Sequence, residues 1–123
     1  MSTAAQSRPS ARLILRVLFL LGAAFVTVMS LLPAHDLPNL AIPDKIEHAG
    51  AYFMLALLGG LALRERRGLL FLFVALCAMG GVIELLQAFS PGRTPDVFDA
   101  LANATGAGAG TLVSLVVGLR WRR

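Results

Sequence analysis

The residues best suited to chemistry form a polar stripe at the start of an apolar segment. Asp44, His48 and Tyr52 are spaced by four, so on a helix they share one face. The stripe combines a carboxylate, an imidazole and a phenol, which can bind polar ligands or transfer protons. Lys45 adds a cation beside it. The simpler alternative is structural, because Asp44 follows Pro43 and would cap or electrostatically stabilise the first turn of a helix.

A second polar pair lies within a later apolar segment. Glu84 and Gln87 are three residues apart and therefore share a helix face. A carboxylate within a membrane segment is costly, so it usually faces the bundle interior or a water-filled cavity. The alternative is a carboxylate that is protonated or satisfied by a neighbouring helix. We expect Glu84 to lie within direct or one-water hydrogen-bonding reach of His48.

A turn that contains proline and glycine carries the third polar group, Arg93, Asp96 and Asp99. Asp96 or Asp99 would cap the helix that follows, and Asn103 shares a helix face with Asp99. Arg93 either forms an ion pair with a nearby carboxylate or binds an anion such as phosphate or carboxylate bidentately. Either arrangement would add to the polar cluster formed by the other two groups.

Four apolar segments must position these groups, at about residues 13–32, 49–63, 68–89 and 100–119. Roughly 20 helical residues cross the ~30 Å hydrocarbon core of a membrane, and the second segment reaches that length only if it starts near Asp44. Of the 123 residues, 57% are hydrophobic and 15% are charged, well below the charged fraction of a soluble domain. The composition excludes a soluble globular enzyme and a disordered chain. It predicts an all-α, integral membrane four-helix bundle.

The distribution of charge predicts the topology of the bundle. Of the 11 basic residues, only Lys45 and Arg93 lie at the ends of the segments where six of the seven acidic residues are found. All the other basic residues mark the opposite side, so the positive-inside rule places both termini in the cytoplasm. The loops at about 33–44 and 90–99 then face outward. The net charge of +4 reflects this topology and lipid headgroup contacts, and nucleic acid is not an expected partner.

Small residues predict a close contact between helices. Gly106 and Gly110 form a small-xxx-small pair, which lets two helix backbones approach each other. The single cysteine, Cys77, lies in an apolar run and is read as a packing residue.

The sequence gives no sign of a bound metal or other cofactor. It contains no P-loop and no HExxH or GxSxG motif. His35 and His48 could join carboxylates around a metal, but their spacing resembles no dedicated site. We therefore predict no metal and no cofactor.

The polar residues, taken in order, resemble the pattern of the VanZ-like family of small bacterial membrane proteins. The resemblance covers about residues 30–115 and depends on the combination of groups rather than on one motif. It places the family's polar pattern on Asp44, Lys45, His48, Tyr52, Glu84, Gln87, Arg93, Asp96, Asp99, Asn103 and Gly106.

The resemblance implies a multi-pass protein of the bacterial cytoplasmic (inner) membrane. Residues 1–12 would form a cytoplasmic N-terminal tail, 13–119 the four-helix VanZ-like membrane domain, and 120–123 a basic cytoplasmic C-terminus. The founding member of the family is associated with resistance to teicoplanin, a glycopeptide antibiotic. Nothing else in this chain indicates antibiotic resistance.

The expected function is binding of a polar or lipid-linked envelope component by the outward-facing polar cluster. Expected partners are membrane lipids, a lipid-linked or cell-wall-related ligand, and a larger membrane complex or a second copy of the chain. One alternative is an accessory subunit whose polar residues only join helices. Another is an intramembrane enzyme in which Glu84 and His48 act as acid and base and Arg93 stabilises an anion. No nucleophile with an activating partner is visible, so binding is favoured over catalysis.

Overall fold

The computed structural model describes residues 10–63 and 65–120. These two ranges contain no β-strand, and they confirm the prediction of an all-α chain with four helices. A short 3₁₀ turn, Ala34–Asp36, follows the first helix. The helices are α1 (Ala11–Leu31), α2 (Asp44–Ala62), α3 (Arg66–Gln87) and α4 (Val97–Arg120). Most of the two predicted tails, residues 1–9 and 121–123, lies outside the described residues, as does residue 64.

Local capping explains where two of the helices begin. The Ser10 hydroxyl accepts the N–H of Leu13 at 3.2 Å and caps α1. The carboxylate of Asp96 accepts the N–H of Phe98 at 2.8 Å and caps α4. The fourth helix therefore begins three residues earlier than its apolar segment, since the polar first turn belongs to the helix but not to the apolar run.

Three of the helices, α1, α3 and α4, are long and apolar enough to cross a membrane. At 19 residues, α2 is about 28 Å long, but it is not among the helices that are apolar enough to cross. Its first turns carry Asp44, Lys45, Glu47 and His48, which lower its hydropathy below that of the other three. The prediction of membrane-spanning helices is therefore confirmed for α1, α3 and α4. Helix α2 differs from them because its first turns are polar.

The second helix is the centre of the bundle. All three other helices pack against α2, most extensively α4, whereas α1 contacts α2 and α3 but not α4. The buried core is formed by side chains from α2, α3 and α4, namely Tyr52, Leu55, Ala56, Leu72, Leu76 and Ala107. Helix α1 has no buried residue, so it lies against the outside of this three-helix core.

Two glycines of α4 let it lie directly on α2. A Cβ at Gly106 would fall 2.9 Å from the Cα of Ala49, and one at Gly110 would fall 2.8 Å from the Cβ of Ala56. Both distances are shorter than real Cβ contacts allow. The polar first turns of α2 and α4 begin at the same end of the bundle, and this close packing brings their side chains together.

Candidate functional site

A cavity of about 620 Å³ opens between α1, α2 and the segment that joins them. One wall is apolar and comes from α1 and the connecting segment, through Phe25, Val26, Met29, Leu37, Pro38, Leu40 and Ile42. The lining also includes polar residues, namely Ser30, Asp44, Glu47, His48, Tyr52, Gln87 and Arg93. The cavity is therefore amphipathic, and five of the predicted site residues line it.

Lys45 joins the first turns of α2 and α4 outside the cavity lining. Its ammonium group donates to Asp96 Oδ2 at 2.5 Å and also to Asp99 Oδ1. The hydrogen bond from Lys45, together with that from the N–H of Phe98, lowers the pKa of the Asp96 carboxyl from its ordinary value. Lys45 is thus committed to a structural ion-pair cluster, since both of its bonds tie α2 to α4.

The imidazole of His48 lies between three polar groups from two helices. Its Nδ1 is 2.9 Å from Asn103 Oδ1, and because an amide oxygen only accepts, His48 donates this bond. Its Nε2 is 3.7 Å from Asp44 Oδ1 and 3.6 Å from Asp99 Oδ2, beyond hydrogen-bonding distance. Asn103 and Asp99 are buried. The predicted polar stripe on α2 therefore meets the predicted polar face of α4.

Arg93 caps the end of α1. Its Nε donates to the carbonyl of Leu32 at 3.3 Å and its terminal nitrogen to that of Met29 at 3.2 Å. None of the ion pairs among the described residues involves Arg93, because Lys45 takes the acids that were expected to attract it. Of the alternatives for Arg93, the carboxylate ion pair is thus not formed.

Two more side chains complete the cap on α1. Gln87 donates to the carbonyl of Ser30 at 2.9 Å, and Ser90 donates to that of Leu31, also at 2.9 Å. The last carbonyls of a helix have no partner within the helix and must be satisfied in an apolar medium. Gln87, Ser90 and Arg93 therefore hold the C-terminal end of α1 in place. The sequence analysis missed Ser90 and the capping role of the other two.

Glu84 lies deeper in the bundle and faces α4. Its Oε2 accepts the backbone N–H of Asp96 at 3.1 Å. Its Oε1 and the hydroxyl of Tyr52 are both buried without a hydrogen-bond partner in the described part of the chain. No direct hydrogen bond joins Glu84 to His48 in the described part of the chain, and a contact through one water stays a prediction.

The chain was also compared with known proteins. A family model described as VanZ/LLP1 matches residues 4–118, which is nearly the whole chain. No curated protein and no solved structure matches it.

Proposed function

The chain belongs to the VanZ/LLP1 family, and on that premise we propose that it is a multi-pass membrane protein that binds an amphipathic envelope molecule. The binding place is the cavity between α1 and α2. The ligand class is a membrane lipid or a lipid-linked cell-wall precursor, since both join an apolar chain to a polar headgroup. The family's association with teicoplanin resistance makes a cell-wall precursor the first such ligand to test.

We place the cavity at the outer face of the bacterial cytoplasmic membrane, with both termini in the cytoplasm. This arrangement is supported by the arginines at the ends of the segments, which follow the positive-inside rule. It puts the first turns of α2 and α4 at the outer surface. A headgroup bound beside Asp44 and His48 would then lie at the level of lipid headgroups, with its chain along α1.

The amphipathic lining of the cavity is the observation that carries the proposal. Ligand pockets are mostly apolar, with a few convergent polar groups that set orientation. Here apolar residues of α1 and of the connecting segment line the same cavity as Asp44, Glu47 and His48, so each part of an amphiphile would have matching groups. The volume of about 620 Å³ is within the usual range for a small-molecule site.

The charged residues in and near the cavity indicate which class of headgroup would bind there. Lys45 is bonded to Asp96 and Asp99, and Arg93 donates to carbonyls of α1. These two basic residues are therefore already bonded within the protein. Asp44 and Glu47 remain on the cavity wall, so a headgroup with amine or hydroxyl donors fits better than one that presents only anionic oxygens.

The test is the mass of whatever purifies with the protein. Native mass spectrometry of protein extracted in mild detergent should show a bound amphiphile, and its mass distinguishes a phospholipid from a lipid-linked precursor. Ala51→Phe and Met29→Phe would fill the cavity from opposite walls and should each remove most of the bound mass. Met54→Phe, on an exposed face of α2 outside the cavity, is the matched control and should retain it.

Two outcomes would favour the alternatives. Binding in the cavity would be contradicted if Met54→Phe lost the bound amphiphile. It would also be contradicted if Ala51→Phe and Met29→Phe both retained it. Co-purification of a protein partner in place of an amphiphile would favour the accessory-subunit function. The enzymatic alternative is less well supported, because the sequence shows no nucleophile with an activating partner.

A further inference from the structure

We propose that Asp44, His48 and Asp99 bind a divalent transition-metal ion of the zinc type. One ligand atom from each of these residues lies within 4.8 Å of the other two. The site shares Asp44 and His48 with the lining of the cavity, but metal binding does not depend on whether the cavity holds a lipid. It joins the first turn of α2 to the first turn of α4.

The spacing around His48 suits a shared ion better than a set of direct bonds. Its Nε2 lies 3.7 Å from Asp44 Oδ1 and 3.6 Å from Asp99 Oδ2, too far for hydrogen bonds. Two ligands of a tetrahedral zinc ion, with bonds of about 2.0–2.2 Å, are separated by roughly 3.4 Å. The three atoms therefore surround a gap of about the right size for one ion.

The orientation of the imidazole is fixed from the other side of the ring. His48 donates its Nδ1–H to Asn103 Oδ1 at 2.9 Å, and Asn103 is buried. A neutral imidazole held in this way presents an unprotonated Nε2 to the gap. Metal-binding histidines almost always donate their second N–H to an oxygen in the same manner, so Asn103 is a positioning residue for the ligand.

Neither carboxylate is used as a helix cap, which is the usual structural role of an acid at these positions. The residue before α2 is Pro43, which makes no side-chain capping bond, and within residues 10–63 and 65–120 the Asp44 carboxylate accepts no backbone N–H of α2. The cap of α4 is Asp96. The side chain of Asp99 is 9% exposed, and Lys45 occupies Oδ1 but leaves Oδ2 without a hydrogen bond in the described part of the chain.

The donor set indicates the class of ion. One imidazole nitrogen and two carboxylate oxygens suit zinc or a similar first-row ion, whereas Mg²⁺ and Ca²⁺ prefer oxygen ligands alone. Asp44 and His48 also line the cavity. A fourth coordination position would therefore be reachable from it, for water or for a hydroxyl of a bound molecule.

Metal binding can be measured directly on the full chain. Protein purified in detergent and stripped with EDTA is titrated with Zn²⁺ in competition with a chromophoric chelator, and Co²⁺ absorption reports the coordination geometry. We expect one ion per chain and a tetrahedral or five-coordinate cobalt spectrum. Asp44→Asn and His48→Gln should each weaken Zn²⁺ binding at least tenfold, and Mg²⁺ should not compete.

The control is the other histidine of the chain. His35 lies 3.4 Å from Asp36, and both side chains are exposed, so His35→Gln removes a comparable pair outside the site and should leave Zn²⁺ binding unchanged. Asp44 is the decisive position, because its side chain is 60% exposed and its replacement should not disturb folding. Unchanged Zn²⁺ affinity in Asp44→Asn, no stoichiometric binding by the parent protein, or equal loss in His35→Gln would overturn the proposal.

Discussion

Replacement of Gly106 by alanine should separate α4 from α2 and destabilise the bundle. The added Cβ would lie 2.8 Å from the carbonyl carbon of Ala49 and 2.9 Å from its Cα, and closer still to the carbonyl oxygen. Ordinary contact begins at 3.4 Å, so the helices must move apart by at least about 0.5 Å. The obstacle is backbone, so no change of rotamer and no Ala49→Gly substitution relieves it.

The magnitude follows from a comparison with Gly108, two residues further along the same helix. A Cβ at Gly108 would meet only Phe73 Cε2, at an ordinary 3.6 Å. Alanine in place of glycine within a helix gains roughly 0.5–1 kcal/mol, and this gain is common to both positions. Overpacking costs about 1–3 kcal/mol and sometimes more. Gly106→Ala should therefore be less stable than Gly108→Ala by about that amount.

The free energy of unfolding can be measured by titrating the protein in mixed micelles with SDS. The single cysteine, Cys77, serves as the probe, because a thiol reagent in water reaches it more readily once the bundle opens. Equal stability of Gly106→Ala and Gly108→Ala would refute the close approach of α4 to α2. It would also contradict the contacts between side chains of the two helices, including that of His48 with Asn103.

Three further predictions test other contacts. Gln87→Leu should lower the free energy of unfolding by about 1–3 kcal/mol, because it leaves the carbonyl of Ser30 without a donor. The control Thr105→Val removes an exposed bond within α4 and should cost less than about 0.5 kcal/mol. Equal losses in the two variants would contradict the capping role of Gln87. Asn103→Leu should release the fixed tautomer of His48, seen as a change in its imidazole ¹⁵N chemical shifts, and unchanged shifts would show that another group orients the ring. In a Cys77→Ser background, Leu40→Cys should react with a membrane-impermeant maleimide in spheroplasts while a cysteine fused to the C-terminus should not, and the reverse pattern would invert the proposed topology.

The helices and the polar faces could be predicted because they depend on local patterns. Apolar segments of about 20 residues located the helices, and spacing by four placed Asp44, His48 and Tyr52 on one face. The small-xxx-small pair indicated that α4 packs closely on another helix. It did not indicate which one, because a glycine leaves no trace in the sequence of the helix it contacts.

The partners of each polar group could not be predicted for the same reason. Lys45 and Arg93 are both cations near the same acids, and sequence alone does not decide which one is closer. Because α2 packs parallel to α4, Lys45 lies beside the two aspartates and bonds to them. Arg93 instead lies at the end of α1 and donates to its carbonyl groups. The sequence did carry a signal for the bonds made by Arg93. The last turn of α1 contains no basic residue, so its carbonyls needed donors from elsewhere in the chain.

These assignments change what a loss of function would mean. Arg93 and Glu84 both belong to the predicted polar site, yet both bond to backbone groups that hold the bundle together. A defect in Arg93→Ala is therefore expected even if no ligand ever touches the guanidinium. Asp44 differs, because it faces the cavity, is exposed and makes no hydrogen bond that stabilises a helix. If Asp44→Asn lost amphiphile binding but kept a normal free energy of unfolding, Asp44 would contact the ligand. If only Arg93→Ala lost binding, the cause would be displacement of α1.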